Sequence, residues 1–96
     1  PLSTVLADSV PQDEKDITFL KKGLSEKQIE FESISASQSS YIVSLKNGSE
    51  VILSSQKSMN SQISSLQFIS QRLTMEGKLF SQLDLRFDKP VIIIRE

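Results

Sequence analysis

A chain of 96 residues is enough for one domain with a modest core and no disulfide or metal staple. The formal net charge is −1, and the eleven Lys and Arg residues are scattered, which argues against nucleic acid or anionic lipid as a main partner. Neither Cys nor His occurs, so disulfides, thiol nucleophiles, thiolate metal sites and the commonest general base are excluded together.

Residues 1–10 show no clear period and are expected to enter the fold as an extended segment. Because the chain starts at Pro1 rather than Met, it is expected to be a fragment or processed form of a longer protein. No apolar run is long enough to span a membrane, and no signal-peptide pattern is visible. Pro11 suits a first helical turn, and Asp13, Glu14 and Asp16 complement the positive end of a helix dipole. Lys21 and Lys22 fit a last turn, with Gly23 in the left-handed position after it. A helix is therefore expected over residues 12–22, burying Ile17, Leu20 and Leu24, with Phe19 flanking.

Residues 28–35 read as a strand. Ile29 and Phe31 share a face, and Ile34 breaks the period of two, which a bulge near Glu32 and Ser33 explains. The serine-rich residues 35–40 read as a loop. Residues 41–46 and 50–54 flank Asn47-Gly48, the strongest hairpin signal in the chain. A strict two-residue turn pairs Leu45 with Glu50 and splits the apolar residues between two faces. A longer turn, pairing Leu45 with Val51, collects Val43, Leu45, Val51 and Leu53 on one face and is preferred.

A second helix is expected over residues 58–75. Met59, Ile63, Leu66, Ile69 or Phe68, and Leu73 recur at helical spacing. Ser55 or Ser58 can cap its start, and Gly77 fits its exit. Residues 80–87 then alternate, with Leu83, Leu85 and Phe87 pointing one way and Gln82, Asp84 and Arg86 the other. Asp88-Lys89-Pro90 makes a turn into a last strand, residues 91–95. The order helix, three strands, helix, two strands predicts one α+β domain, with two amphipathic helices packed on a mainly antiparallel sheet.

Asp84 and Arg86 read as a structural ion pair on the wet face of their strand. Asp13, Glu14 and Asp16 lack the turn and glycine of a calcium loop. No serine among the eighteen sits in a G-x-S-x-G elbow, and the three isolated glycines form no phosphate-cradling loop. A hydrolase working with carboxylates alone would need Asp84 facing Glu30 or Glu50 across a pocket. A glycan-binding module would need Tyr41 and several Phe residues gathered in an exposed cleft. The expectation is no enzyme, no metal and no cofactor.

Val91-Ile92-Ile93-Ile94 does not alternate, so one strand carries apolar side chains on both faces. Either it is central and covered on both sides, or it is an edge that a partner covers by adding a strand. In the second case Val91, Ile92, Ile93 and Ile94 form the partner-binding surface, with Arg95 and Glu96 as its polar rim.

The chain from about Ile17 onward resembles the C-terminal β domain of the bacterial cell-division family FtsQ, known as DivIB in Gram-positive bacteria. The resemblance rests on the hairpin Leu45-Lys46-Asn47-Gly48-Ser49-Glu50-Val51-Ile52-Leu53 and on the long amphipathic helix after a short polar link from Lys57. It continues through Asp84-Leu85-Arg86-Phe87, a tight turn and a terminal apolar strand. It implies a non-catalytic scaffold, outside the membrane at the septum and anchored through a segment beyond this chain. It also implies FtsB-like and FtsL-like partners, the former adding a strand beside the last β-strand, on a surface that includes Phe87, the aromatic of the motif, and Val91, Ile92, Ile93, Ile94 and Arg95. Family partner strands often carry larger aromatics near their end, where this chain has Ile94 and Arg95.

Overall fold

The computed structural model describes residues 12–95, and their side chains from Glu14 on. The expectations for residues 1–11, for the Asp13 side chain and for Glu96 lie outside the described residues. The elements are α1 (Gln12–Glu26), β1 (Phe31–Ser37), β2 (Ser40–Leu45), β3 (Glu50–Ser54), α2 (Met59–Met75), β4 (Phe80–Asp84) and β5 (Val91–Ile94). The five strands form one sheet in chain order. All neighbours are antiparallel except β3 and β4, which are parallel and joined through α2. This is the expected α+β architecture with a mostly antiparallel sheet.

One face of the sheet carries the core. Tyr41, Val43, Leu45, Val51, Leu53 and Leu83 are buried there against Leu20 and Leu24 of α1 and Ile63 and Leu66 of α2. Burying each such side chain stabilises the fold by roughly 1.5–3 kcal/mol. Strand alternation and the register place Ser33, Ser35, Ile42, Ser44, Glu50, Ile52 and Gln82 on the opposite face. Of the two candidates for the α2 stripe, Ile69 packs against the core, whereas Phe68 is exposed.

Several boundaries differ from the sequence reading. The first helix runs through Gly23 to Glu26. Gly23 lies where α1 meets α2, and a Cβ there would come within 2.6 Å of Ile63 Cδ1. Its role is close helix approach rather than helix exit. The helix ends instead at Gln28, whose φ is +61°. The Gln28 N–H bonds to Ser25 O, and the Ile29 N–H to Leu24 O, the paired bonds of a Schellman closure. The second helix ends the same way at Gly77, with Ser58 capping its start as expected.

Residues 35–40 are not a loop. β1 and β2 continue to Ser37 and Ser40, which pair across a two-residue turn at Gln38-Ser39. Serine content masked a strand whose outer face is solvent-exposed. The bulge lies between Phe31 and Ser33, as the sequence indicated. In the next hairpin Val43 pairs with Val51, and the Leu45 N–H bonds to Ser49 O. Leu45 is thus opposite Ser49, not Val51. The three-residue connection Lys46-Asn47-Gly48, with Gly48 at φ +92°, still gathers the four apolar residues on one face.

The penultimate strand ends at Asp84, earlier than its alternation suggested. Asp84 Oδ1 accepts the Arg86 N–H at 3.0 Å, which turns the chain out of the ladder. Leu83 and Leu85 are buried, whereas Phe87 is 56% exposed and does not share their stripe.

Candidate functional site

Among the described residues, β5 is the edge of the sheet beyond β4. Its four residues are 39–50% exposed. The pairing of Leu83 with Ile92 and of Phe80 with Ile94 places Ile92 and Ile94 on the helix side. Val91 and Ile93, opposite Asp84 and Gln82, lie on the open side.

Main-chain direction follows from two contacts. The Arg95 N–H bonds inward to Leu79 O, and Ile93 O accepts the Ser81 hydroxyl. Successive residues of an antiparallel strand alternate in direction, so the N–H and C=O groups of Ile92 and Ile94 point away from the sheet. These are the groups that an added strand would meet.

The two edges of the sheet are not equivalent. β1, at the other edge, carries a bulge, Glu32 and three serines, features that discourage edge pairing. β5 has an unbroken apolar run, with Lys89 and Pro90 only at its entrance.

Helix α2 forms a wall beside this edge. Near its end, Ile69, Arg72, Leu73 and Glu76 line a groove of about 160 Å³ with Ile92. Near its start, Ser58, Ser61 and Ser65 face Leu85, Phe87 and Pro90 across a second groove of about 200 Å³. The wall residues recur three or four apart and make one face of the helix. Phe87 therefore sits at the entrance to β5, by the start of α2, rather than along the strand. The Arg86 guanidinium lies 5.4 Å from its ring centroid.

Arg95 has a different place from the rim position expected of it. Its guanidinium donates to Asn47 O and to Ser49 Oγ, both at 3.1 Å. The Ser49 hydroxyl donates in turn to Phe80 O. The side chain is committed to the β2–β3 turn and ties the end of β5 to the sheet.

The Asp84 carboxylate and the Tyr41 hydroxyl are occupied within the fold. Both Asp84 oxygens are held by Arg86, Nε at 2.9 Å and Nη2 at 2.6 Å. These bonds hold the Asp84 carboxyl below its ordinary value of 3.8, against the opposing effect of burial. Tyr41 is buried and donates its hydroxyl to Asp16 at 2.6 Å, so its ring is not offered to a sugar. Among the described residues no buried side-chain nitrogen or oxygen lacks a hydrogen-bond partner. None of the described helices is long and apolar enough to cross a membrane. The chain matches no protein-family model and no curated protein.

The site was legible as a strand apolar on both faces. The α2 wall was not, because nothing in the spacing of Arg72 and Glu76 shows that β5 lies beside them.

Proposed function

We propose that this chain is a non-catalytic scaffold domain that recruits a partner protein by β-strand addition along β5. The observation that carries the reading is the exposed apolar edge, with the main chain of Ile92 and Ile94 turned outward and unpaired by the sheet. Each main-chain hydrogen bond to an added strand contributes about 0.5–1.5 kcal/mol net. Side chains at alternate positions of that strand would enter the groove between β5 and α2 and set specificity. Phe87 borders the entrance, and Arg95 keeps the edge in place.

The resemblance to FtsQ and DivIB gives this mechanism a setting. In that reading the domain stands outside the membrane at the division septum, carried by a membrane anchor beyond this chain. Its partners are FtsB-like and FtsL-like proteins, the former supplying the strand. The reading involves no cofactor and no catalytic group.

An amide NMR titration with the extracytoplasmic tail of an FtsB-like protein tests it. Shifts should concentrate on Phe87 and on residues 91–95, with new solvent protection at the Ile92 and Ile94 amides. Ile94→Pro should abolish binding and leave the β4 ladder intact, because its N–H points outward. Ile93→Pro should instead damage the fold. Unmoved β5 amides in a folded domain would refute the reading.

A further inference from the structure

The exposed edge suits a second occupant, and the charges on α2 identify it. We infer that, without a partner, two copies of this chain pair β5 to β5 in antiparallel fashion, joining their sheets about a two-fold axis at Ile93. The inference uses the same edge as the partner reading but stands without it.

The register follows from which amides point outward. Setting Ile92 opposite Ile94 of the second copy, and the reverse, satisfies both outward residues of each strand with about four main-chain hydrogen bonds. Centring the pair on Ile92 would set Pro90, which has no N–H, against Ile94. In the preferred register Arg95 falls beside Val91 of the second copy, so no like charges meet on the open face. Ile92 and Ile94 of both copies form one apolar row on the helix side.

The helices then fix complementarity. β3 and β4 are parallel and joined through α2, whereas β4 and β5 are antiparallel, so α2 runs in the same direction as β5. Ile92 is level with the middle of the α2 segment that lines its groove, Ile69 to Glu76. A strand rises ~3.3 Å per residue and a helix ~1.5 Å, so the axis at Ile93 falls about two helix residues further, between Arg72 and Glu76. The two-fold therefore brings Arg72 of each copy level with Glu76 of the other. Within one chain these two side chains are 3.5 Å apart and largely exposed. The dimer joins the two pairs into one cluster in which Arg72 and Glu76 alternate across the axis, with Lys78 of each copy 3.6 Å from its own Glu76.

Sedimentation equilibrium of the purified chain over a range of concentrations tests this. The wild type should rise with concentration toward twice the chain mass. R72E and E76R each place like charges across the axis and should weaken the dimer roughly tenfold or more. Mixed together, the two variants should form a heterodimer of about wild-type affinity. The double variant R72E/E76R should dimerise as the wild type does. Circular dichroism should be unchanged throughout, since both positions are exposed. A wild type that stays monomeric at every concentration overturns the inference, as does a dimer indifferent to both charge reversals. No partner protein enters this experiment, so failure of the partner reading would leave its result unaffected.

Discussion

Replacing Gly23 by alanine sets two effects of similar size against each other. Gly23 is in a helix interior, where alanine is favoured by about 1 kcal/mol through backbone entropy. The new methyl would lie 2.6 Å from Ile63 Cδ1, and Ile63 is only 2% exposed, so the side chain must move into packed surroundings. Overpacking of this kind costs about 1–3 kcal/mol. Gly23→Ala should therefore be destabilised by about 1 kcal/mol net, despite its better helix propensity. Ile63→Val alone removes the offending atom and costs about 0.5–1.5 kcal/mol for the space left behind. In the double variant the alanine methyl fills that space, so stability should return to about the wild-type level. Urea denaturation followed by circular dichroism would measure all four proteins, with the coupling term read from the cycle. If Gly23→Ala is stabilised by about 1 kcal/mol and the two effects add, Gly23 is not a close-approach residue and the helix-crossing argument fails.

Gln28→Gly should stabilise the domain by about 0.5–1 kcal/mol, because a glutamine there adopts φ +61° without the freedom of glycine; a rise in Tm checks it. Gln62→Ala should cost about 1–3 kcal/mol by the same denaturation assay. Gln62 Oε1 accepts the buried Ser54 N–H at 2.7 Å, and its Nε2 donates to Ser54 O, so truncation strands both groups. The pair of Asp84 and Arg86 should make stability depend on pH. The folded Asp84 carboxyl lies below its ordinary 3.8, so its contribution is present above about pH 4 and disappears as pH falls through the folded value. Asp84→Asn should therefore be less stable than wild type at pH 6. At pH 2 that difference should shrink, and a gap independent of pH would refute the assignment.

Where local pattern and tertiary packing agree, the sequence carries the fold. Both helical stripes, the bulge near Glu32, the presence of a hairpin at Asn47-Gly48 and the sequence of elements were readable from residue type and spacing, whereas the register of that hairpin, with Leu45 opposite Ser49, was not. The misreadings have a common physical origin. Gly23 and the serines at 35–40 are residue types that end elements on average, yet here they serve packing and a tight hairpin. A glycine needed for helix crossing has the same letter as one needed for a left-handed turn, and only the position of Ile63 tells them apart. The alternation through Phe87 misled for a similar reason. The side chain of Asp84 captures the Arg86 amide and ends the strand, a local competition that hydrophobic periodicity does not register. At the candidate site, the apolar run was visible but its place in the sheet was not. Strand order depends on the crossover through α2, which no short-range signal encodes.

Arg95 shows how that placement changes a functional expectation. As a rim residue it would contact a partner directly, and its removal would weaken binding while leaving the free domain untouched. The structure instead joins its guanidinium to Asn47 O and Ser49 Oγ, linking the end of a four-residue edge strand to a turn two strands away. Gly48, whose Cβ position is 3.4 Å from Arg95 Nη2, leaves room for this reach. Arg95→Ala should therefore loosen β5 in the free domain. Hydrogen exchange at the inward amides of Ile93 and Arg95 should accelerate several-fold, while amides of β2 and β3 keep their rates. Binding of any added strand should weaken in proportion, because the edge must be ordered before it can pair. Unchanged exchange at Ile93 combined with weaker binding would refute the latch and return Arg95 to the contact surface.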